Sequence, residues 1–120
     1  MTTFDELGLR PELLAAVTAL GYEEATPIQR DAMPEVLAGH DVLGQAATGT
    51  GKTAAFALPL LQRMASHGDD RGPQPSALVL VPTRELAVQV SQALHRYGRA
   101  MGARVTPIYG GQSIQQQLRA

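Results

Sequence analysis

The stretch Ala46-Ala47-Thr48-Gly49-Thr50-Gly51-Lys52-Thr53 constrains this chain more than any other. The apolar pair Val42-Leu43 precedes it and the helix-like run Ala54 to Met64 follows, so the glycines fall at a strand-to-helix turn. At such a turn glycine lets the backbone fold tightly and point several N–H groups inward, while the positive end of the new helix faces the same spot. Together these groups make a pocket for a polyphosphate. Lys52 adds a flexible point charge for the outer phosphates, and the Thr53 hydroxyl is placed to ligate the Mg²⁺ that accompanies them. Lys52 is the only lysine in the chain, all other basic residues being arginines. Ala46 departs from the general G-x-x-x-x-G-K-[ST] pattern, where a glycine comes first. For an isolated Gly-Lys-Thr triplet, a plain connecting turn is the better reading; the flanking strand and helix favour phosphate binding.

At 120 residues the chain suits one domain, able to bury roughly two-thirds of the surface its unfolded form exposes. Hydrophobic content of 44% and charged content of 18% match an ordinary globular protein. No apolar run approaches the ~20 residues of a membrane span. Met1 to Arg10 has neither the basic start nor the apolar stretch of a secretion signal, so a cytoplasmic location is the default. With no cysteine, disulfides, thiolate nucleophiles and Cys-rich metal sites are excluded together. The formal charge of −1 gives no global pull toward nucleic acid, so any such contact must come from a local patch. His40, His67 and His95 share no ligand spacing and read as surface or turn residues.

Phe4 stands alone in a polar N-terminal segment. A helix is predicted from Pro11, with Leu13, Leu14, Val17 and Leu20 at helical spacing and Gly21 as its C-terminal cap. Thr26-Pro27 signals a second start, Thr26 as N-cap, and Ala38-Gly39-His40-Asp41 ends that helix. A third helix should run from Lys52 to about Ser66 with a kink at Pro59, and His67 to Pro75 is a solvent loop. Ala77 to Val81 is a continuous apolar run, expected to be a strand covered on both faces. A fourth helix from Thr83 to about Ala100 and a short strand over Arg104 to Tyr109, weakened by Pro107, complete the pattern; Gly110-Gly111 then turns into a new helix. Strand, helix, strand, helix, strand argues an α/β fold, a parallel sheet with helices on both faces.

These residues resemble a known family. Gly21-Tyr22-Glu23-Glu24-Ala25-Thr26-Pro27-Ile28-Gln29 resembles the Q motif, Ala46 to Thr53 motif I, and Pro82-Thr83-Arg84-Glu85-Leu86-Ala87 motif Ia of DEAD-box RNA helicases, and Gly110-Gly111 matches that family's paired glycines. An alanine in place of the first loop glycine is normal there. The resemblance covers the whole chain and implies a truncated, partial RecA-like P-loop domain: residues 1–40 as the Q-motif region with its N-terminal helices, and 41–120 as an incomplete ATP-binding domain.

It also implies roles. Gln29 pairs with the adenine edge, its amide having both a donor and an acceptor, which favours ATP over GTP. Phe4 stacks on the base; Tyr22 and Thr26 belong to the same nucleotide site, Thr26 also supporting the loop. Ala47, Thr48, Gly49, Thr50, Gly51, Lys52 and Thr53 hold the phosphates, with Thr53 on Mg²⁺ and Lys52 and Thr53 the catalytic pair. RNA backbone is expected on Pro82, Thr83, Arg84, Gly110 and Gly111, through the N-terminus of the helix after motif Ia, with Arg84 adding charge. Without the resemblance, Gln29 reads as a helix-surface residue, Phe4 as core, and Arg84 and Glu85 as solvated or paired to each other. Arg96, Arg99 and Arg104 read as ordinary surface.

Hydrolysis in the family needs an acid from a strand ending in Asp-Glu-Ala-Asp, and no such stretch is present; Asp5-Glu6 precedes the first helix and Asp69-Asp70 lies in a loop. The expectation is an ATP-dependent RNA helicase as the parent protein, and a 120-residue chain that binds nucleotide weakly, is itself inactive, and self-associates through exposed sheet edges. The competing readings are a P-loop enzyme of another kind, such as a small kinase, and a non-catalytic nucleotide- or RNA-binding module.

Overall fold

The computed structural model describes residues 2–47, 49, 51–66, 75–110 and 118. Four helices carry the architecture: α1 (Pro11–Ala19), α2 (Pro27–Leu37), α3 (Lys52–Ser66) and α4 (Arg84–Gly98). Their starts follow the sequence signals. Pro11 and Pro27 occupy the first helical turn, where their missing N–H costs nothing. Thr26 caps α2 in a reciprocal box: its Oγ1 accepts from Gln29 N, and Gln29 Oε1 accepts from Thr26 N at 3.0 Å. Past the end of α1, Gly21 takes a left-handed φ of 82° and donates to Thr18 O, turning the chain toward the Q-motif residues. The helix expected from Thr83 begins at Arg84, because Thr83 is its cap.

α3 runs unbroken through Pro59, which is fully buried. The expected kink does not interrupt the element; the proline only leaves the Ala55 carbonyl without its helical donor. α3 is the central helix of the core. Ala57, Leu58 and Leu61 lie on it, Leu13 and Val17 come from α1, Met33 from α2, and Val90, Leu94 and Tyr97 from α4. Gly98 permits the tightest approach between α3 and α4, since a Cβ there would come within 2.9 Å of Leu61 Cδ2 and 2.7 Å of Ala103 Cβ.

The polar N-terminal segment is also part of this core. Phe4–Leu7 forms a 3₁₀ turn whose Phe4 and Leu7 are buried, and Thr3 makes an isolated antiparallel bridge to Glu24. Gln62 of α3 fixes the following loop, accepting from Arg10 N at 2.8 Å and donating to Gly8 O at 2.9 Å.

The three segments read as strands form no ladder with one another among the described residues. Ala77 to Val81 nevertheless alternates as a strand does: Val79 and Val81 pack on the core, while Leu78 and Leu80 are more than four-fifths exposed. Among the described residues only one side is covered, not both as expected, because the described helices supply cover for one side. Leu43 and Ile108 are exposed in the same way. Parallel strands do not pair with their immediate neighbours in the chain by a hairpin, so a ladder depends on what lies beside each one.

Candidate nucleotide and RNA site

The phosphate loop leads straight into α3. Gly49 and Gly51 take left-handed φ values of 82° and 87°, which a side chain would resist, and Ala55 N donates to Gly51 O at 3.1 Å as α3 begins. Lys52 stands exposed in the first turn of α3, with Thr53 half-buried beside it. Thr48 and Thr50 lie outside the described residues. A backbone bend of this kind, with a helix N-terminus, a lysine and a hydroxyl converging on it, fits a polyphosphate and its cation.

Gln29 is 4% exposed, the one buried polar side chain among the described residues. Beyond its bond to Thr26, its Nε2 donates to Gly51 O at 3.1 Å, across 22 positions of sequence. A Cβ on Gly51 would overlap Gln29 Nε2 and come within 3.0 Å of Thr26 Oγ1. The Q-motif helix is therefore seated directly on the phosphate loop. One amide hydrogen and one lone pair of Gln29 are used in this way, leaving the second of each for a ligand.

Around them opens a cavity of about 1100 Å³ that brings together Tyr22, Thr26, Gln29, Gly49, Gly51, Lys52 and Thr53 and extends to Pro82. Phe4 reaches it too, but its ring is 2% exposed and stacks on Tyr22 with centroids 6.3 Å apart at 25°. Tyr22, 41% exposed, is the outer ring of the pair. Tyr97 of α4 adds a residue that no sequence motif singles out. It is 5% exposed, and burial followed by its hydrogen bond with Tyr22 pushes its phenol up to about 12. The available signal was chemical: a tyrosine on an apolar helical face needs a partner for its hydroxyl.

At the far side, Thr83 Oγ1 accepts from Leu86 N at 3.1 Å, which leaves the first N–H groups of α4 for another acceptor. Arg84 does not pair with Glu85; its Nη1 donates to Gly110 O at 3.3 Å. Motif Ia and the first of the paired glycines are thus joined, while Gly111 lies outside the described residues. Arg96, Arg99 and Arg104 are exposed.

The sequence profile of the DEAD/DEAH box helicase family matches residues 26–120. This chain belongs to that family. The DEAD-box ATP-dependent RNA helicase CshA of Bacillus cereus (strain ATCC 10987 / NRS 248) is 52% identical over all 120 residues, and CshA of Geobacillus kaustophilus is 50% identical over the same span. The helicase-family chain spans 22% and 25% of the lengths of these relatives. Among solved structures, the RNA helicase Prp28 from Chaetomium thermophilum bound to ADP superposes with a TM-score of 0.90 at 42% identity, covering all of this chain and 30% of Prp28. A DEAD box protein from Methanococcus jannaschii gives 0.80 at 32% identity, over 99% of this chain and 32% of that one. The fold is accordingly α/β, part of a RecA-like domain, even where no ladder joins its strand segments. No helix among the described residues is long and apolar enough to cross a membrane.

Proposed function

We propose that this chain is the N-terminal, nucleotide-binding portion of a cytoplasmic ATP-dependent RNA helicase. The observation that carries the reading is the Gln29–Gly51 contact, which ties a base-reading amide to a phosphate-binding turn in one site. Residues 1–40 contribute the base end of that site and 41–120 the phosphate and RNA ends. Bound Mg·ATP would supply the phosphoanhydride on which the parent protein's cycle runs. The chain's own residues do the holding. The N–H groups at the start of α3 and the Lys52 ammonium take the phosphates, Thr53 offers its hydroxyl to the cation, and Tyr22, backed by Phe4, walls the base. Gln29, fixed by Thr26 and Gly51, presents its free hydrogen and lone pair to the N6 and N7 edge of adenine.

RNA would lie along its sugar-phosphate backbone on the N-terminus of α4 and the Gly110 turn, which reads no base sequence. The 120-residue chain has no Asp-Glu-Ala-Asp stretch to orient an attacking water, so it binds nucleotide without turning it over. Calorimetric titration with Mg·ATP and Mg·GTP tests this reading. Weak binding of ATP with clear preference over GTP supports it; equal affinities would remove Gln29 from base recognition.

A further inference from the structure

We propose that Gln62 is a positioning residue for the base end of the nucleotide site, holding the turn that keeps Phe4 behind Tyr22; this rests on the nucleotide reading above. Among the described residues Phe4 and Tyr22 line the cavity and Gln62 does not. Gln62 acts instead through the backbone. Its Oε1 accepts from Arg10 N at 2.8 Å and its Nε2 donates to Gly8 O at 2.9 Å, so one side chain of α3 closes on both ends of the loop between the 3₁₀ turn and α1. These bonds reach across 52 and 54 positions of sequence.

The turn needs such a hold. Phe4–Leu7 is four residues long, and a 3₁₀ piece has poor hydrogen-bond geometry of its own. On one side it is fastened to the Q-motif segment: Ala25 N donates to Thr2 O at 2.9 Å and Phe4 N to Glu23 O at 3.4 Å, around the Thr3–Glu24 bridge. On the other side Gly8 leaves the turn with a left-handed φ of 77°, a corner with no side chain of its own to pack. The Gln62 amide fixes that corner. Phe4 thus sits between two fastenings, with its ring stacked on Tyr22 at a centroid distance of 6.3 Å. A shift of the turn carries Phe4 away from Tyr22 and loosens the base wall, while Lys52 lies roughly 15 Å earlier along α3 and keeps its place.

The alternative is that Gln62 is a general staple for the start of α1, where Arg10 makes no side-chain cap bond, and that its loss loosens the whole core. Gln62→Ala removes both bonds; Gln62→Glu keeps an acceptor for Arg10 N and loses the donor to Gly8 O. Calorimetric titration of the parent chain and both variants with Mg·ATP and with Mg·tripolyphosphate, which has no base, separates the two roles, and amide exchange is followed at Phe4 and Ala25. Positioning predicts that both variants lose about three- to tenfold in ATP affinity, the size of one hydrogen bond. Affinity for tripolyphosphate stays unchanged, and exchange at Phe4 and Ala25 quickens in both. Equal losses for the two ligands would identify a general staple and overturn the proposal. Unchanged ATP affinity, or unchanged exchange, would overturn it as well, leaving the nucleotide reading intact. A parent chain that binds ATP no better than tripolyphosphate would remove the base wall and the proposal while the phosphate loop stands. A parent that binds neither ligand would refute the nucleotide reading and the proposal together.

Discussion

Replacing Gln29 by alanine removes two bonds at once from a side chain that is 4% exposed: Oε1 to Thr26 N at 3.0 Å and Nε2 to Gly51 O at 3.1 Å. Gly51 O keeps Ala55 N as a donor, but Thr26 N is left with no acceptor at the start of α2. At about 1 kcal/mol for each bond, the loss of stability is about 2 kcal/mol. For a chain of this size that lowers the melting midpoint by roughly 8 °C. Gln29→Glu divides the effect. A carboxylate still accepts from Thr26 N, as the capping box allows, but it cannot donate to Gly51 O and sets two oxygens against each other there. Circular-dichroism melts of both variants, paired with Mg·ATP titrations, make the comparison. Both should lose nucleotide binding, because both release the phosphate loop from α2. A Gln29→Ala protein melting within about 1 °C of the parent would show that the two bonds contribute no net stability, and would refute the seating of α2 on the loop.

Tyr97 gives a pH prediction. Its phenol stays protonated in the folded chain up to about 12 but ionises near 10.0 when unfolded, so the unfolded state holds fewer protons between those values and stability falls as pH rises through them. Urea titrations at stepped alkaline pH should show the decline, and Tyr97→Phe should flatten it. Leu78 and Leu80 form an exposed apolar face, so the chain should self-associate in sedimentation runs and Leu78→Asp with Leu80→Asp should shift it toward monomer; a parent already monomeric at high concentration contradicts this. RNA should release no phosphate from ATP in the presence of this chain, and RNA-stimulated release surviving stringent purification would refute the inactive assignment.

Helix starts were legible because their signals are local. Thr26-Pro27 with Gln29 three residues after the cap contains its own capping box; the start of α4 was read one residue early, because Thr83 caps it through its hydroxyl alone. Contacts across long sequence separations were not. The second engagement of Gln29 depends on Gly51, and that of Arg84 on Gly110, and neither pairing leaves a periodic trace. Phe4 shows the limit from the other side. A single apolar residue in a polar segment carries no period, yet a 3₁₀ turn and the Gln62 clamp bring it into the core. The strand segments were recognisable as apolar runs, but a parallel ladder is a property of neighbours, and Val79 and Val81 found helices on one side while Leu78 and Leu80 face solvent.

The central claim is that the turn ending in Lys52 binds nucleotide phosphates, and Lys52→Ala tests it most directly. The side chain is exposed, so its loss should leave the fold and melting midpoint unchanged. Calorimetric titration with Mg·ATP should then show weak binding by the parent chain and none by the variant. Equal binding by both proteins would contradict the assignment of the loop.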